Sequence, residues 1–562
     1  MRRFRLLCMV LIFFAGCLSG CAVLNVPFQK RRPERTQLDR VLQQLHLERK
    51  DFSVSRPAAA GPFNSDQVEE FLAAPLQMVR FADGLAGGFV RQETTLGRLV
   101  QLSGGLLGLS ENPPGAEEGS AEASDAGSLD AAAGRLYQAL VGARELFDRA
   151  FRALSRDEAA LVQHNIEQLL FYGTDQQERT RREHQELLEQ VFRLASRIDL
   201  QAIQTACYRV ACALDLLTEQ LAVQPWTWRP ERVQTPLGDV VVGTPGDDVH
   251  AGDLPLLLID PGGDDTYRFQ GRGRFSVIVD VDGEDTYYST NSGFLAAGIQ
   301  GLGFLVDMAG DDRYEGDVYS FGCGLLGAGV LADLAGDDRY RSRAFSQGAA
   351  TLGLGILYDI DGDDAYACDM YGQGMGYVGG AGVAVDLHGN DTYLAGLTVP
   401  DGREEQNAFQ TYAQGFGMGC RLYAPGGAGL LYNGSGNDSY QGSYFCQGAG
   451  YWRALGMLID RGGDDRYVAR RYAQGAGVHS ACGLLYDVAG DDRYGSWGVS
   501  QGLGHDYALG ILRDRSGNDR YTAEWLSQGA GNSRGLGLLV DDCGDDAYAA
   551  TAGSGTQGAG VY

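Results

Sequence analysis

The chain has 562 residues, and its composition is that of a folded, acidic protein. Hydrophobic residues make up 44% and charged residues 21%, a balance typical of globular proteins and not of disordered ones. The formal net charge is -27, and Lys30 and Lys50 are the only lysines. Because phosphate backbones are bound by Lys and Arg, this charge argues against nucleic acid as a partner.

The first 21 residues have the pattern of an export signal. Basic residues at 2, 3 and 5 precede an apolar stretch over 6–18. Leu18-Ser-Gly-Cys21 resembles a bacterial lipobox, so Cys21 is the predicted lipidation site and the membrane a predicted partner. By the same resemblance, Ala22 favours the outer membrane, on its periplasmic or surface face. An ordinary secretory signal with an incidental cysteine is the alternative, and residues 22–36 follow as a tether.

Residues 37–224 are predicted to form an α-helical domain. Helical stretches run over Leu38–Arg49, over Asp66–Gly108 with a break near 84–88, and from Leu136 to about Leu221. Apolar residues three and four apart in the last stretch are typical of an amphipathic helix. Residues 110–134, rich in Ala, Gly, Ser, Glu and Pro, are predicted to be a flexible linker. We therefore expect a small bundle or a coiled hairpin.

Over residues 240–562 one pattern recurs. An apolar run ends in Asp, two variable positions follow, and then Gly-Asp/Asn-Asp-x-Tyr, as in Asp333-Leu-Ala-Gly-Asp-Asp-Arg-Tyr340. From Asp312 onward the last Asp of the pattern recurs every 26 or 27 residues, with one longer gap caused by an insertion near 397–412. A fixed period of this size is typical of stacked repeats.

Each repeat has three parts that predict one coil of a parallel β-helix. An apolar strand leads into the acidic turn, a second short strand carries a Tyr, and a Gln-Gly pair marks a corner. The Tyr and Gln rows are expected to stack and to hydrogen-bond from coil to coil. The predicted fold class is α+β multidomain, with the helical bundle followed by a β-solenoid of ~27-residue coils.

The apolar strands predict where the two parts of the chain meet. In Gly353-Leu-Gly-Ile-Leu-Tyr-Asp359 the residues pointing to both faces are apolar. A strand that is apolar on both faces is usually covered on both. We therefore expect the N-terminal helices to pack on the outside of this row of strands.

Stacked coils would place equivalent carboxylates about 5 Å apart. At an effective dielectric of 20, two such charges repel by roughly 3 kcal/mol. A hard divalent cation relieves this repulsion, and calcium suits dense oxygen ligands such as those of Asp280-Val-Asp-Gly-Glu-Asp285. The Asp residues that end the apolar runs are candidate metal ligands: Asp307, Asp333, Asp359, Asp460, Asp487, Asp514 and Asp541.

The acidic turns resemble the RTX, or haemolysin-type, calcium-binding repeats. Val242-Gly-Thr-Pro-Gly-Asp-Asp-Val249 and Gly434-Ser-Gly-Asn-Asp-Ser-Tyr440 are similar to that family's Gly-Gly-x-Gly-x-Asp-x-apolar unit. The resemblance implies a β-roll in which the Asp two after the Gly binds calcium between coils. That role falls on Asp248, Asp265, Asp285, Asp312, Asp338, Asp364, Asp391, Asp438, Asp465, Asp492, Asp519 and Asp546. The family's units recur every nine residues, unlike those of this chain.

A metal-free interpretation of the same turns stays open. The carboxylates could accept hydrogen bonds from turn N–H groups and form salt bridges with the Arg that follows several turns. The arginines in that position are Arg313, Arg339, Arg466, Arg493 and Arg520.

The favoured function is that of a lipid-anchored cell-envelope protein without enzymatic activity. Its calcium-binding solenoid would serve as an adhesion or scaffold surface for polysaccharide or another envelope protein. The alternative is a polysaccharide lyase or epimerase on a parallel β-helix, with paired carboxylates as acid and base. His479 and His505 share a corner phase and could stack with Asp506, but exposed loop histidines are the favoured interpretation.

Overall fold

The computed structural model describes residues 53–54, 63–89, 94–110, 128–171, 182–271, 273–289, 295–396, 398–403, 407–550, 555–558 and 560–561. The predicted export signal, the tether, Cys21 and the helical stretch over 38–49 lie outside the described residues. Within those ranges no helix is long and apolar enough to cross a membrane.

The N-terminal part of the described chain is helical, as predicted. Side chains cap several helices: Ser65 accepts from the backbone N–H of Val68, and Ser128 from that of Ala131. The described helices are α1 (Asp66–Ala73), α2 (Leu76–Gly88), α3 (Leu96–Leu106), α4 (Leu129–Ala150), α5 (Arg156–Phe171), α6 (Arg182–Ala195) and α7 (Leu200–Val223).

Two helix boundaries differ from the prediction. The expected break near 84–88 falls slightly later, because α2 continues to Gly88 and α3 begins at Leu96. A further break, which the sequence analysis does not predict, separates Ala73 from Leu76. Pro75 stands just before α2, where its missing N–H would have no helical partner anyway. Helix α4 begins at Leu129, within the expected linker, because Ser128 provides a cap that composition alone does not reveal.

The rest of the described chain is a parallel β-solenoid, which confirms the predicted fold class. The strands of its first sheet, in spatial order, are Glu231–Thr235, Gly238–Val242, Leu257–Asp260, Phe275–Asp280, Leu302–Asp307, Ala328–Asp333, Gly353–Tyr358, Gly380–Asp386, Ala428–Asn433, Leu455–Asp460, Cys482–Asp487, Leu509–Asp514 and Leu536–Asp541. All their pairings are parallel except that of the first two strands.

The second sheet follows the acidic turns. Its strands are Val249–Asp253, Thr266–Gln270, Thr286–Ser289, Arg313–Gly316, Arg339–Ser346, Ala365–Met370, Thr392–Ala395, Ser439–Gln441, Arg466–Ala473, Arg493–Gly498, Arg520–Trp525 and Ala547–Ala550, with Val318–Ser320 and Tyr444–Cys446 alongside. The third side is built from short strands: Ala297–Ile299, Cys323–Leu325, Ala350–Thr351, Gly417–Met418, Gly450–Tyr451, Gly477–Val478, Gly504–His505, Gly531–Asn532 and Gly560–Val561.

The repeat sets the register of the stack, so that equivalent residues form lines. Leu331 pairs with Leu357 in the first sheet, and Tyr340 pairs with Tyr366 in the second. The Leu line and the Tyr line face each other and fill the interior of the solenoid. Successive Tyr rings are stacked with centroids between 4.5 and 4.9 Å apart, as the sequence predicts.

The helices cover the outside of the first sheet, as expected from its two apolar faces. Helix α3 packs on the strands Gly353–Tyr358 and Gly380–Asp386. The hydroxyl of Tyr486 donates to Asp83 at 2.7 Å, and the Tyr432 ring lies 4.3 Å from that of Phe89. The helices and the first sheet therefore share one apolar core.

The Gln row bonds differently from the expected Gln ladder. The amide of Gln447 donates to the carbonyl of Tyr440 in its own coil at 3.1 Å and to that of Val468 in the next coil at 3.0 Å. Gln474 and Gln501 repeat this arrangement. Each Gln thus links the backbones of two coils and does not pair with the neighbouring Gln.

Candidate metal centre

Each acidic turn begins where a first-sheet strand ends in a buried Asp. The Oδ1 atom of Asp487 accepts a hydrogen bond from the backbone N–H of Ala489 at 3.1 Å, which starts a tight turn. Gly490 follows with φ +156°, and a Cβ there would lie 1.6 Å from a carbonyl oxygen of the preceding coil. Only glycine fits this position. The turn then directs the second carboxylate, that of Asp492, into the interior.

Two sets of carboxyl groups result, and together they form what we call the carboxyl column. The strand-final Asp are Asp260, Asp280, Asp307, Asp333, Asp359, Asp386, Asp460, Asp487, Asp514 and Asp541, all buried. The turn Asp are Asp248, Asp265, Asp285, Asp312, Asp338, Asp364, Asp391, Asp438, Asp465, Asp492, Asp519 and Asp546, all buried except the two at the ends, Asp248 and Asp546. The residues that the sequence marks as metal ligands therefore lie together.

The turn Asp form a ladder of hydrogen bonds between coils. The backbone N–H of Asp312 donates to Oδ1 of Asp338 at 2.6 Å, and the N–H of Asp338 donates to Oδ1 of Asp364 at 2.7 Å. The same bond recurs from Asp248 to Asp546, at 2.5 to 3.0 Å. One oxygen of each of these carboxylates is therefore used to join neighbouring coils.

A second, exposed ladder runs beside the column in the opposite direction. The N–H of Asp491 donates to Asp464 at 3.0 Å, and the N–H of Asn518 donates to Asp491 at 2.8 Å. Asn replaces Asp at three levels of this ladder: Asn390, Asn437 and Asn518. These side chains reach solvent, so their charges need no neutralising partner.

The Tyr line supplies hydroxyl donors to the strand-final Asp. The hydroxyl of Tyr340 donates to Oδ2 of Asp359 at 2.6 Å, and that of Tyr467 donates to Oδ2 of Asp487 at 2.7 Å. Burial raises the pKa of both Tyr well above its usual value, so each remains a protonated donor. The repeated Tyr therefore has a polar role as well as its stacking role.

The carboxyl groups of the column approach one another in threes. A turn Asp lies between the strand-final Asp of its own coil and that of the next, as Asp338 does between Asp333 and Asp359. Within each such group, one ligand oxygen per residue lies within 4.8 Å of the others. Carboxylate oxygens at this separation can bind one hard cation together.

Several oxygens of the column have no hydrogen-bond partner among the described residues. The Oδ2 atom is buried and unpaired in Asp312, Asp338, Asp438, Asp465, Asp492 and Asp519. A buried carboxylate oxygen without a partner costs several kcal/mol unless a proton or a cation neutralises it. The column therefore requires positive charge at these points.

The pKa values of many carboxyl groups inside the column are raised, chiefly by burial and further by repulsion between the carboxylates. The pKa of Asp333, Asp359 and Asp487 lies well above its usual value. The pKa of Asp338 rises to about 8, against the lowering effect of its bond from the Asp312 backbone. That of Asp312 rises to about 6. Without a cation, much of the column is therefore protonated at neutral pH.

Asn433 occupies one strand-final position and shows what can replace the missing charge. Its amide nitrogen donates to Oδ2 of Asp391 at 3.1 Å and to the hydroxyl of Tyr393 at 3.3 Å. The Oδ2 atom of Asp391 thus has the partner that its equivalents in Asp312 and Asp338 lack. At this level a neutral N–H donor stands where other coils need a proton or a cation.

The metal-free interpretation is correct for the hydrogen bonds to turn N–H groups and wrong for the arginines. Arg313 pairs with Glu315 at 2.5 Å and not with a turn Asp. Arg466 and Arg493 point outward from the second sheet and are exposed. Within the described chain, no arginine of this row therefore neutralises the carboxyl column.

Asp260, Asp280 and Asp386 belong to the column but are missing from the ligand set inferred from sequence. Each stands five residues before a turn Asp, and this spacing identifies them. Asn433 has the same spacing to Asp438. The proline after Asp260 and the histidine after Leu387 vary the motif at these levels, although the strand-final position itself is kept.

His479 and His505 meet at the corner between the third side and the first sheet and are partly buried, so the interpretation as exposed loop histidines is wrong. Their ring centroids are 5.7 Å apart, and Nδ1 of His479 lies 2.6 Å from Oδ2 of Asp506. Burial lowers the pKa of His479, although the hydrogen bond with Asp506 opposes this effect. His479 is therefore a neutral imidazole oriented by the Asp506 carboxylate, which is the arrangement of a general base.

Comparisons of the chain with protein-family models, with curated proteins and with solved structures returned no match. The function is therefore inferred from the geometry of the carboxyl column and of the His479 corner.

Proposed function

We propose that the chain is a calcium-binding structural repeat protein of the bacterial cell envelope, whose rigid solenoid provides a binding surface. The observation that carries this proposal is the set of unpaired, buried Oδ2 atoms inside groups of three carboxyls. An all-oxygen ligand set of this kind suits calcium and other hard cations.

The ligands would come from two neighbouring coils. One turn Asp and the two strand-final Asp on either side of it, such as Asp312 with Asp307 and Asp333, would hold an ion between coils. The position between coils agrees with the RTX resemblance of the turns. A bound cation would satisfy the carboxylate oxygens that otherwise need a proton or, at one level, the N–H group of Asn433.

Calcium titration of the full chain tests the proposal. We expect bound calcium to raise the melting temperature at neutral pH, and a chelator to reverse the rise. Asp333→Asn should lower the number of bound ions, because it removes a carboxylate but keeps a donor toward Asp312. Asp337→Asn, in the exposed ladder, is the matched control and should leave that number unchanged. A melting temperature that neither calcium nor chelator alters contradicts the proposal.

The envelope location is proposed from the N-terminal sequence. A lipidated Cys21 would attach the protein to the outer membrane through the tether 22–36, with the solenoid on the periplasmic or the surface face. Cys21→Ser should move the protein from the membrane fraction to the soluble fraction. Equal membrane association of both forms would contradict the anchor.

A polysaccharide lyase or epimerase is the second candidate, and His479 favours it. When the Nδ1–H of His479 donates to Asp506, Nε2 of this imidazole is left to accept a proton from a substrate. Incubation with uronate polymers should then give unsaturated or epimerised products, and His479→Ala should abolish them. The structural function predicts no product from either form.

A further inference from the structure

The outward face of the second sheet carries a regular set of exposed groups. Tyr467, Tyr494 and Tyr521 point inward and are buried, while the residues before them point outward. The described helices pack on the first sheet, so this outward face carries no helical cover of the kind found there. The face is available to a partner over the last coils of the rod.

One row of this face consists of arginines. Arg466 pairs in register with Arg493, and Arg493 with Arg520. Strand spacing therefore places three guanidinium groups at intervals of about 4.8 Å along the rod. None of the three forms an ion pair or a hydrogen bond through its guanidinium group within the described part of the chain. Aligned like charges repel, and an anion spanning the row would remove that repulsion.

Two exposed indoles lie farther along the same strands. Trp497 is 45% exposed and Trp525 is 38% exposed. The guanidinium carbon of Arg470 lies 4.4 Å from the ring centroid of Trp497, and that of Arg471 lies 4.8 Å from that of Trp525. These cation–π contacts hold both indoles against the sheet.

Gly498 makes room for the Trp525 ring. It stands in register between Arg471 and Trp525, and a Cβ on it would lie 2.9 Å from Cδ1 and Nε1 of that indole. The absence of a side chain therefore allows the ring to lie across the strand toward Arg471. Both indoles are therefore held in place with part of each ring exposed, where an apolar ligand face can stack on them.

A strip of small side chains separates the arginines from the indoles. Val468, Gly495 and Thr522 form this row, and each is paired in register with the next. We call the whole surface the Arg–Trp trough: the three arginines form one wall, the two indoles the other, and this row the floor. Trp497 is four residues after Arg493 and Trp525 is five residues after Arg520, so the two walls are about 13 to 17 Å apart along these strands.

We propose that the Arg–Trp trough binds an acidic polysaccharide lying along the rod. Carboxylates of the uronate sugars would pair with the row formed by Arg466, Arg493 and Arg520, while apolar sugar faces would stack on the indoles. Nucleic acid fits less well, because duplex DNA carries about one negative charge per 1.7 Å, and this denser charge is repelled more strongly by the net charge of -27 and by the exposed Asp464 and Asp491 beside the arginine row. The inference rests on the proposed role as a binding surface and names its ligand class.

Hyaluronate is a suitable probe, since it is a uronate polymer that does not gel with calcium. Binding to the full chain is measured by tryptophan fluorescence and calorimetry, with dextran as the neutral comparison. We expect saturable binding of hyaluronate alone, which weakens as salt is added. The double variant Trp497→Ala/Trp525→Ala should lower the affinity about tenfold or more.

Arg493→Gln should also weaken binding by about tenfold, since it removes the central charge of the row. Arg339→Gln is the matched control: the same change at the same strand position, in a coil without an indole. Three outcomes overturn the inference: no binding of hyaluronate, an equal loss in the Arg339→Gln control, or tighter binding of single-stranded DNA. Calcium-dependent melting of each variant reports folding separately, so a chain that binds calcium but not hyaluronate contradicts this inference alone.

Discussion

Replacing Asp487 by Asn should stabilise the calcium-free protein, and the gain should grow as the pH rises. Asp487 is fully buried, accepts from the Tyr467 hydroxyl at 2.7 Å and accepts from the Ala489 N–H at 3.1 Å. An Asn at this position keeps one acceptor and, like Asn433, offers an N–H to the unpaired Oδ2 of the preceding turn Asp, Asp465.

The size of the gain in stability follows from the linkage between proton binding and folding. Burial holds the folded-state pKa of Asp487 well above its usual value, and the unfolded chain has a pKa near 3.9. Between these two values the folded state binds a proton that the unfolded state has lost, so the free energy of unfolding falls by about 1.4 kcal/mol per pH unit. Asn does not titrate and avoids this loss. Between about pH 5 and pH 8 the variant should gain about 4 kcal/mol over the parent.

Denaturant unfolding across that pH range, with chelator present, measures the difference. Asp487→Ala is the control, because it leaves the Tyr467 hydroxyl and the Ala489 N–H unpaired and opens a cavity. It should be about 2–4 kcal/mol less stable than the Asn variant at every pH. If the Asn variant and the parent lose stability in parallel as the pH rises, or if Asn is as harmful as Ala, the reasoning about the column is refuted.

Three further predictions concern the same interior. Calcium should raise the melting temperature at neutral pH but not near pH 4, because protons then occupy the carboxylates; equal shifts at both pH values would contradict this. Tyr467→Phe should lower stability by about 1–2 kcal/mol by removing the donor to Asp487, as measured by denaturant unfolding, and no change would contradict that role. Ala384 lies in line with Leu357 and Leu431 beside a small internal gap. Ala384→Leu should fill this gap, which would raise the free energy of unfolding by about 0.5–2 kcal/mol and the melting temperature with it. A lower melting temperature would show that the gap is too small.

The sequence predicts the solenoid well because its period directly specifies which residues stack. Tyr340 and Tyr366 pair because they are one repeat apart, and the cover on the first sheet follows from strands such as Gly353–Tyr358 that are apolar on both faces. The helical part is less regular, and there the single Ser128 cap decides where α4 begins. Local capping is not visible in the composition of the segment 110–134.

The candidate metal centre is only partly predictable from sequence. The repeat identifies the turn Asp and most strand-final Asp, but it does not show that Asp338 is 1% exposed or that its Oδ1 already accepts a hydrogen bond from the preceding coil. Depth and pairing depend on how the turn folds around Gly336, which places the carboxylate inside. Asn433 looks like a lost ligand in the sequence, and only the geometry shows that it donates to Asp391.

Calcium anomalous diffraction from crystals of the full chain shows directly whether the carboxyl column binds calcium. We expect peaks inside the column, between a turn Asp and the strand-final Asp on either side, as at Asp338 between Asp333 and Asp359. We expect no peak beside Asn433, whose amide already donates to Asp391. A column without peaks, or peaks confined to the exposed ladder of Asp464 and Asp491, would contradict this expectation.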